Sequence, residues 1–190
     1  NIMAQIVTPN NRPQFSTVRY KIFSAPAPVE TPHGTVENMA IEQAKLKTLV
    51  EILSIREKEK TADISETDVI VAVGRGFKTQ ADTDMAKELA DALGGQIACS
   101  RPLVENGWFD AKRQIGLSGR TVHAKMILTL GISGKVQFAA GMKGSDCIIS
   151  INSDPHAQIF DVAHYAVIGD IYEIVPKLTA LCREAKKNAL

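Results

Sequence analysis

Residues 68–78 read DVIVAVGRGFK, and this short segment indicates the class of fold that the rest of the chain must complete. Asp68–Val73 is an almost unbroken run of apolar, mostly β-branched residues. Such a run is typical of a parallel strand that is covered on both faces, because a half-exposed strand would alternate apolar and polar residues. Gly74-Arg75-Gly76 then ends the run, so the segment predicts a buried strand followed by a permissive turn.

The sequence after this strand alternates helix and strand signals. Ala81–Leu93 places Met85, Leu89 and Leu93 at four-residue intervals, which predicts an amphipathic helix that Gly94-Gly95 ends. Further buried strands are predicted at Met126–Leu130 and Cys147–Ile151, and a long helix at Ile171–Ala185. This alternation predicts an α/β fold, in which an open, doubly wound parallel sheet carries helices on both faces.

The sequence before residue 67 has a different character. It contains five of the eight prolines and no pattern that would support an independent core. Short extended pieces are predicted at 4–8, 16–23 and 47–55, with a proline-rich stretch at 25–34. We therefore expect residues 1–66 to be a short extended segment that packs on another piece, and residues 67–190 to form the α/β domain.

Composition excludes several classes of function. The net charge is +1, from 22 basic and 21 acidic residues, so no electrostatic footprint for nucleic acid is expected. No apolar run approaches about 18 residues, so no membrane insertion is expected. Three scattered cysteines are typical of reduced thiols inside a cell, and the four histidines lack metal-ligand spacing. Because the chain starts at Asn1 and has no signal-peptide pattern, we expect a fragment of a longer protein.

The candidate binding residues lie in the turns that follow the predicted strands. Ligands of open α/β sheets bind at the carboxyl ends of the strands. Gly131-Ile132-Ser133-Gly134 lies between a strand and a short helix predicted at 135–140, so it is either a diphosphate cradle or a plain tight turn. Arg75 is either a phosphate-binding fork or a surface arginine, and Ser100-Arg101-Pro102 forms a similar turn.

Two further turns leave the same kind of choice open. Asn152 and Asp154 either contact a nucleotide sugar or phosphate or cap the turn before Pro155. Asp170 is either the N-cap of the last helix or an acceptor for a ligand hydroxyl or adenine amine. No catalytic triad, P-loop, zinc site or iron–sulfur motif is evident, so neither catalytic nor metal-binding residues are predicted.

Taken together, these turns resemble those of a known family. The matching stretches are VGRGFK (73–78), ACSRPLVENGWFDAKRQIGLSGRTV (98–122), GISGKVQFAAGMKGSD (131–146), INSDPHAQIFDVAHY (151–165) and GDIYEIVP (169–176). Their order and spacing resemble the C-terminal FAD-binding domain of the electron-transfer flavoprotein alpha subunit. IVTPNNRPQFSTVR (6–19) is similar to the family's passage out of its N-terminal domain, so residues 1–66 would be a remnant of that domain.

The resemblance implies an electron carrier rather than an enzyme. Such a subunit binds FAD non-covalently in a Rossmann-like domain and forms a heterodimer with a beta subunit. It passes electrons between a flavin-containing dehydrogenase, here expected to act on acyl-CoA thioesters in fatty acid β-oxidation, and an acceptor, with NADH-linked bifurcation as a further possibility. The expected compartment is the bacterial cytoplasm, or else the mitochondrial matrix. The alternatives are a nucleotide-binding or interaction module that is inactive without its other domain and subunit, and an enzyme that uses FAD for its own dehydrogenation.

The resemblance also implies roles for individual residues at the flavin end. Ser100 and Arg101 would meet the ring, and the Arg101 guanidinium would stabilise the anionic reduced flavin, as a nearby cation lowers the pKa of an acid. Ser118 would place its hydroxyl near flavin N5. The ring would be lined by Ile115, Gly116 and Leu117.

The remaining roles concern the diphosphate and the adenosine. Arg75 would contact the diphosphate region, above a helix N-terminus formed by Ser133, Gly134, Lys135, Val136 and Gln137. The adenosine end would be held by Asn152, Asp170 and Ile171. Phe138 occupies a position where many relatives have histidine, and it can neither donate a hydrogen bond nor carry charge, so we expect the flavin potential to differ.

Overall fold

The computed structural model describes residues 5–18, 26–31, 33–42, 46, 49–55 and 63–188. The chain divides into two units, one comprising Asn1–Ile22 and Ala62–Leu190 and the other Phe23–Thr61. The first unit contains a five-stranded sheet with β1 (Val69–Val73), β2 (Gln96–Cys99), β3 (Met126–Leu130), β4 (Ile148–Asn152) and β5 (Tyr165–Ile168). Its helices are α1 (Thr83–Leu93), α2 (Arg101–Glu105), α3 (Val136–Ala139) and α4 (Ile171–Asn188), with 3₁₀ turns at Ile64–Glu66, Ala111–Arg113 and Gln158–Val162.

All strand pairings are parallel, and the strand order is β2-β1-β3-β4-β5. The predicted doubly wound parallel sheet is therefore confirmed. After β2 the chain crosses to the other side of β1, so the carboxyl ends of β1 and β3 form the switch point of the sheet. In open α/β sheets, this is where the loops diverge and leave a crevice.

The apolar residues of β1 supply both faces of the core. Ile70 and Ala72 belong to one buried cluster, whereas Val71 and Val73 belong to the other, because successive strand side chains point to opposite faces. The Val71 face is covered by α1, α2 and α4, and the Ile70 face by α3 and the Gln158–Val162 turn. Burial on both faces explains why β1 lacks alternating polar residues.

The predicted elements of this unit agree closely with the observed bounds. The strand at Met126–Leu130 has the bounds predicted for it, and the next strand is shifted by one residue to Ile148–Asn152. Helix α1 ends at Leu93, as the glycine pair predicted, and the C-cap Gly94 adopts a left-handed conformation (φ 69°). The last helix continues beyond the predicted end to Asn188, and the helix expected at 135–140 is a single turn, Val136–Ala139.

The strands expected before residue 67 are not formed by the described residues. Residues 5–8, 16–18 and 49–55 have no strand structure, and those of the proline-rich stretch are equally irregular. The other residues of these predicted strands, 4, 19–23 and 47–48, lie outside the described part of the chain. Apolar side chains such as Phe15 and Ile52 are largely exposed, so these segments lack the packed neighbours that stabilise a strand.

Within the described residues, no helix is long and apolar enough to cross a membrane.

Candidate functional site

A cavity of about 990 Å³ lies along the carboxyl edge of the sheet. It extends from the end of β2, past the β1/β3 switch point, to the end of β4. Its lining residues are Arg75, Gly76, Ser100, Arg101, Pro102, Glu105, Gln114, Ile115, Gly116, Leu117, Ser118, Gly131, Ile132, Ser133, Lys135, Gln137, Phe138, Asn152, Asp154 and Ala157. The volume is at the upper end of the range for small-molecule and cofactor sites.

The middle of the cavity is built by two turns that touch through their backbones. Gly76 N donates a hydrogen bond to Gly131 O at 3.0 Å, which ties the loop after β1 to the loop after β3. A Cβ on Gly131 would lie 2.7 Å from Gly76 Cα, and Gly131 has φ 61°. Gly134 has φ 86°, and a Cβ there would collide with the backbone nitrogen of Ile159. Chain packing therefore requires these glycines, so their presence is not by itself a phosphate-binding signal.

The turn between β3 and α3 nevertheless presents backbone donors. Phe138 N and Ala139 N donate to Lys135 O at 2.8 and 3.1 Å, and these are the first helical bonds of α3. The N–H groups ahead of them precede any intrahelical bond. Ser133, Lys135 and Gln137 from this turn line the cavity. The turn thus combines tight glycine packing with donors beside the cavity, so the two interpretations of Gly131–Gly134 are compatible.

At the β2 end, residues 114–118 are tied to the sheet and to α3. Ile115 N donates to Cys99 O, and Leu117 N donates to Gln137 O, both at 2.9 Å. The buried Gln114 side chain donates from Nε2 to Ser118 Oγ at 2.9 Å. These bonds hold the exposed Ser118 and Leu117 side chains at the cavity wall.

Helix α2 adds an ion pair to this end of the cavity. Arg101 Nε donates to Glu105 Oε1 at 2.8 Å, and both side chains are more than half exposed. With Arg75 and Lys135, the cavity has three cationic side chains against the two carboxylates of Glu105 and Asp154. The balance favours an anionic ligand.

The neighbouring Cys99 offers no reactive thiolate. Its side chain is completely buried at the end of β2, and burial raises the pKa of the thiol to about 12, although the charge of Arg113 acts in the opposite direction. The thiol is therefore protonated near neutral pH. Within the described part of the chain, no group of three or more His, Cys, Asp or Glu side chains is arranged to hold a metal ion.

At the β4 end, the predicted side chains mainly stabilise turns. Asn152 donates from Nδ2 to Ile132 O at 2.8 Å and accepts from Asp154 N at 3.0 Å, so it connects two turns while lining the cavity. Asp170 Oδ1 accepts from Tyr172 N at 2.8 Å, which is the capping arrangement at the start of α4. The capping alternatives thus account for the Asn152 and Asp170 side chains.

The cavity lining includes all the predicted site residues except four. Gly134 is buried against Ile159, the Val136 side chain is exposed outside the lining, and Asp170 caps α4. Ile171 is 5% exposed and packs in the core with Val175, so its side chain is not available at the cavity surface. Val136 and Ile171 were candidates through the family resemblance, and Gly134 and Asp170 also lie in turns that follow predicted strands.

Several lining residues were not among the sequence candidates. Glu105 follows Arg101 by four residues, and this helical ion-pair spacing is a signal that could have identified it. Gln114 carries no such signal, because only its long-range contacts bring it to the wall. Ala157 likewise lines the cavity through the path of its turn.

The amino-acid sequence of this chain is similar to those of known proteins. Residues 63–143 match the family model described as electron transfer flavoprotein FAD-binding domain. The subunit LctC of a lactate dehydrogenase (NAD(+),ferredoxin) from Acetobacterium woodii is 57% identical over 99% of this chain and 45% of its own length. The electron transfer flavoprotein subunit alpha of Megasphaera elsdenii is 41% identical over 98% of this chain and 56% of its own length. Protein FixB of Rhizobium meliloti is 38% identical over 94% of this chain and 51% of its own length.

The chain spans about half the length of the curated relatives that it matches. Residues 63–143, which contain β1, β2 and β3 and much of the cavity wall, belong to the electron transfer flavoprotein FAD-binding domain family, whose cofactor is FAD.

Proposed function

We propose that this chain holds FAD non-covalently in the cavity at the carboxyl edge of the sheet and serves as an electron-transfer subunit. The observation that carries the proposal is the cavity of about 990 Å³ at the β1/β3 switch point, with its excess of cationic side chains. The size suits a dinucleotide, and the charge suits a diphosphate. When bound, FAD supplies the electron-accepting and electron-releasing chemistry.

The distribution of side chains suggests how the ligand lies. The β2 end has apolar surface from Leu117 and Pro102, which suits a flat ring. The middle has Arg75 and Lys135 beside the backbone donors of the β3–α3 turn, which suit the diphosphate. This leaves the adenosine at the β4 end of the cavity, where Asn152 and Asp154 are the polar side chains of the lining.

Two side chains would then adjust the environment of the ring. The Arg101 guanidinium would stabilise an anionic reduced form through its positive charge. Because Ser118 Oγ accepts the Gln114 amide proton, the Ser118 hydroxyl proton is directed to another acceptor, and N5 of the ring is the one we propose. The protein's contribution is thus binding, orientation and electrostatics, with no catalytic side chain.

The partners follow from the family and from the relatives' names. We propose a beta subunit and a flavin-containing dehydrogenase, with the complex in the bacterial cytoplasm. The 57% identical relative is named as a subunit of an NAD(+)- and ferredoxin-linked lactate dehydrogenase, which favours a 2-hydroxy acid dehydrogenase partner and bifurcation over the acyl-CoA dehydrogenase of fatty acid oxidation. Reduction of the purified complex by lactate or by an acyl-CoA distinguishes these two partners.

We also propose that residues 67–190 form the FAD domain and that residues 1–66 derive from the preceding domain. The support is a contrast in packing, since residues 63–188 contain the buried core whereas the described residues of 5–55 expose their apolar side chains. Ile64, in the 3₁₀ turn that leads into β1, packs into the sheet core and marks the approach to this boundary.

An FAD titration tests the proposal, first with this chain and then with the chain and a beta subunit together. We expect saturable one-to-one binding with altered flavin fluorescence and a perturbed visible spectrum. Lys87→Ala, in a surface pair outside the cavity, is a control that should leave the titration unchanged. Absence of FAD binding in both preparations would overturn the proposal, and binding of adenine nucleotides alone would favour the nucleotide-binding module instead.

A further inference from the structure

The ion pair of helix α2 lies within the wall of the proposed FAD cavity. Arg101 and Glu105 are separated by four residues, so one helical turn brings their side chains together. Both line the cavity, at the end where Leu117 and Pro102 provide apolar surface. The other ion pairs resolved among the described residues, such as Lys87–Asp84 and Arg183–Glu88, have no partner in that wall.

The ion pair engages only one of the three nitrogens of the Arg101 guanidinium. Glu105 Oε1 accepts from Nε at 2.8 Å, and this bond does not use the two Nη groups. Because this bond already restricts the long Arg101 side chain, the side chain loses less conformational entropy when a ligand binds to it. The carboxylate also places a negative charge beside the positive one, so it offsets part of the positive potential at this end of the cavity.

We propose that Glu105 is a positioning residue that holds the Arg101 guanidinium at the ring end of the cavity and moderates its charge, which makes the bound flavin harder to reduce. This inference rests on the proposed function, because it requires the ring to lie at the β2 end. No role for Glu105 follows from the sequence resemblance. The carboxylate acts through Arg101 and is not itself a catalytic group.

Glu105→Gln separates the charge from the holding contact. The glutamine oxygen can still accept the Nε hydrogen bond, while the negative charge is removed. We expect the ratio of affinities for reduced and oxidised FAD to rise about two- to fivefold, the range expected for an exposed ion pair. This corresponds to a rise of about 10–20 mV in the two-electron midpoint potential, at about 30 mV for a tenfold change.

The measurement is a spectroscopic redox titration of the FAD-loaded chain, together with its beta subunit if flavin retention requires one. Glu88→Gln is the matched control, since it breaks an ion pair of similar length and exposure on the α1/α4 surface and should leave the potential unchanged. Glu105→Asp keeps the charge and should keep the wild-type potential, so a folding defect in one variant does not decide the result. In an Arg101→Gln background, Glu105→Gln should produce a smaller shift, because the carboxylate is no longer anchored.

The outcomes distinguish this inference from the proposed function. If FAD binds and Glu105→Gln leaves the potential unchanged or lowers it, the role of Glu105 is overturned and the proposed function stands. A shift of equal size in the Arg101→Gln background would overturn the action through Arg101. If the wild-type protein binds no FAD even with a beta subunit, the proposed function itself fails, and this inference fails with it.

Discussion

The middle and the β2 end of the cavity are built by different means. In the middle, Gly76, Gly131 and Gly134 allow backbone to touch backbone, and a single added Cβ has no space. At the β2 end, the exposed side chains of Arg101, Glu105 and Leu117 form the wall above a short helix and a tied loop. The middle therefore depends on chain packing, whereas the β2 end can change its side chains at little cost to folding.

This difference separates two kinds of requirement within one site. Substitutions in the middle should reduce the stability of the whole sheet unit, because the turns also hold β1 and β3 together. Substitutions at the β2 end should alter the ligand's environment and leave unfolding nearly unchanged.

Gly134→Ala should be the most damaging substitution. Gly134 has φ 86°, and the Cβ of an alanine there would collide with Ile159. Backbone strain and overpacking together should lower the free energy of unfolding by about 2–5 kcal/mol. Gly94→Ala is the control, because Gly94 has φ 69° but open space around its Cβ position, and it should lose only about 1–2 kcal/mol. Denaturant unfolding measures both, and equal losses would contradict the packing argument.

Phe138→His should be destabilising although Phe138 lines the cavity. The side chain is 7% exposed and packs in the core with Ile115 and Met142, so a polar ring there should cost about 2–3 kcal/mol of unfolding free energy. Leu117→His, at a 67% exposed position of the same cavity, should change stability by less than about 0.5 kcal/mol.

The same two variants can be compared by denaturant unfolding and by redox titration. If Phe138→His leaves the free energy of unfolding unchanged, this part of the cavity wall does not belong to the core. In the folded Phe138→His protein, we expect the FAD potential to change only if the flavin ring lies beside residue 138.

Arg75→Ala should weaken FAD binding and leave folding unchanged. The exposed guanidinium lies at the middle of the cavity, and losing one charge-assisted contact should raise the FAD Kd about 5- to 30-fold, or about 1–2 kcal/mol. Fluorescence titration measures the Kd, with Lys87→Ala as the control outside the cavity. An unchanged Kd would remove Arg75 from the diphosphate site.

Tyr172→Phe should have the smallest effect, and it tests whether side chains also hold the middle of the cavity. The Tyr172 hydroxyl accepts from Lys78 N at 2.8 Å and donates to Asp82 Oδ2 at 2.9 Å, which ties the loop after β1 to α4. The hydrogen bond from Tyr172 lowers the pKa of the Asp82 carboxyl, so its removal should raise that pKa toward the ordinary value.

The pH dependence of this variant has a definite sign. Because the Asp82 pKa is lowered in the folded state, the contribution to stability is present above about pH 4 and is lost as the pH falls through the folded-state pKa. The stability difference between wild type and Tyr172→Phe should therefore shrink in acid, as measured by urea unfolding between about pH 2 and pH 7. Tyr165→Phe, at an exposed position of β5, should show no such trend.

Much of the sheet unit could be predicted from the sequence because its signals are local. The apolar run of β1, the helical spacing of α1 and the glycine at its end each reflect the burial or backbone conformation of neighbouring residues. The turns that line the cavity could also be found, because they follow those strands directly. The described residues before residue 67 form none of the strands expected there, which shows the limit of local signals, since an apolar pattern forms no strand without a partner to pair with.

Contacts between distant residues could not be predicted in the same way. The approach of Gly76 to Gly131 and the bond from Leu117 N to Gln137 O both depend on the path of the chain. Tertiary packing likewise buries Ile171 in the core, although this residue lies beside a cavity turn in the sequence.

Local sequence patterns were thus enough to predict the α/β class and the turns that carry polar residues, because burial periodicity and glycine conformations are properties of short segments. The strand order β2-β1-β3-β4-β5, the backbone contact that shapes the middle of the cavity and the side chains that share its wall became known from the folded structure alone. These features arise from packing between segments that are far apart in the chain, where the space available to each atom depends on all the others.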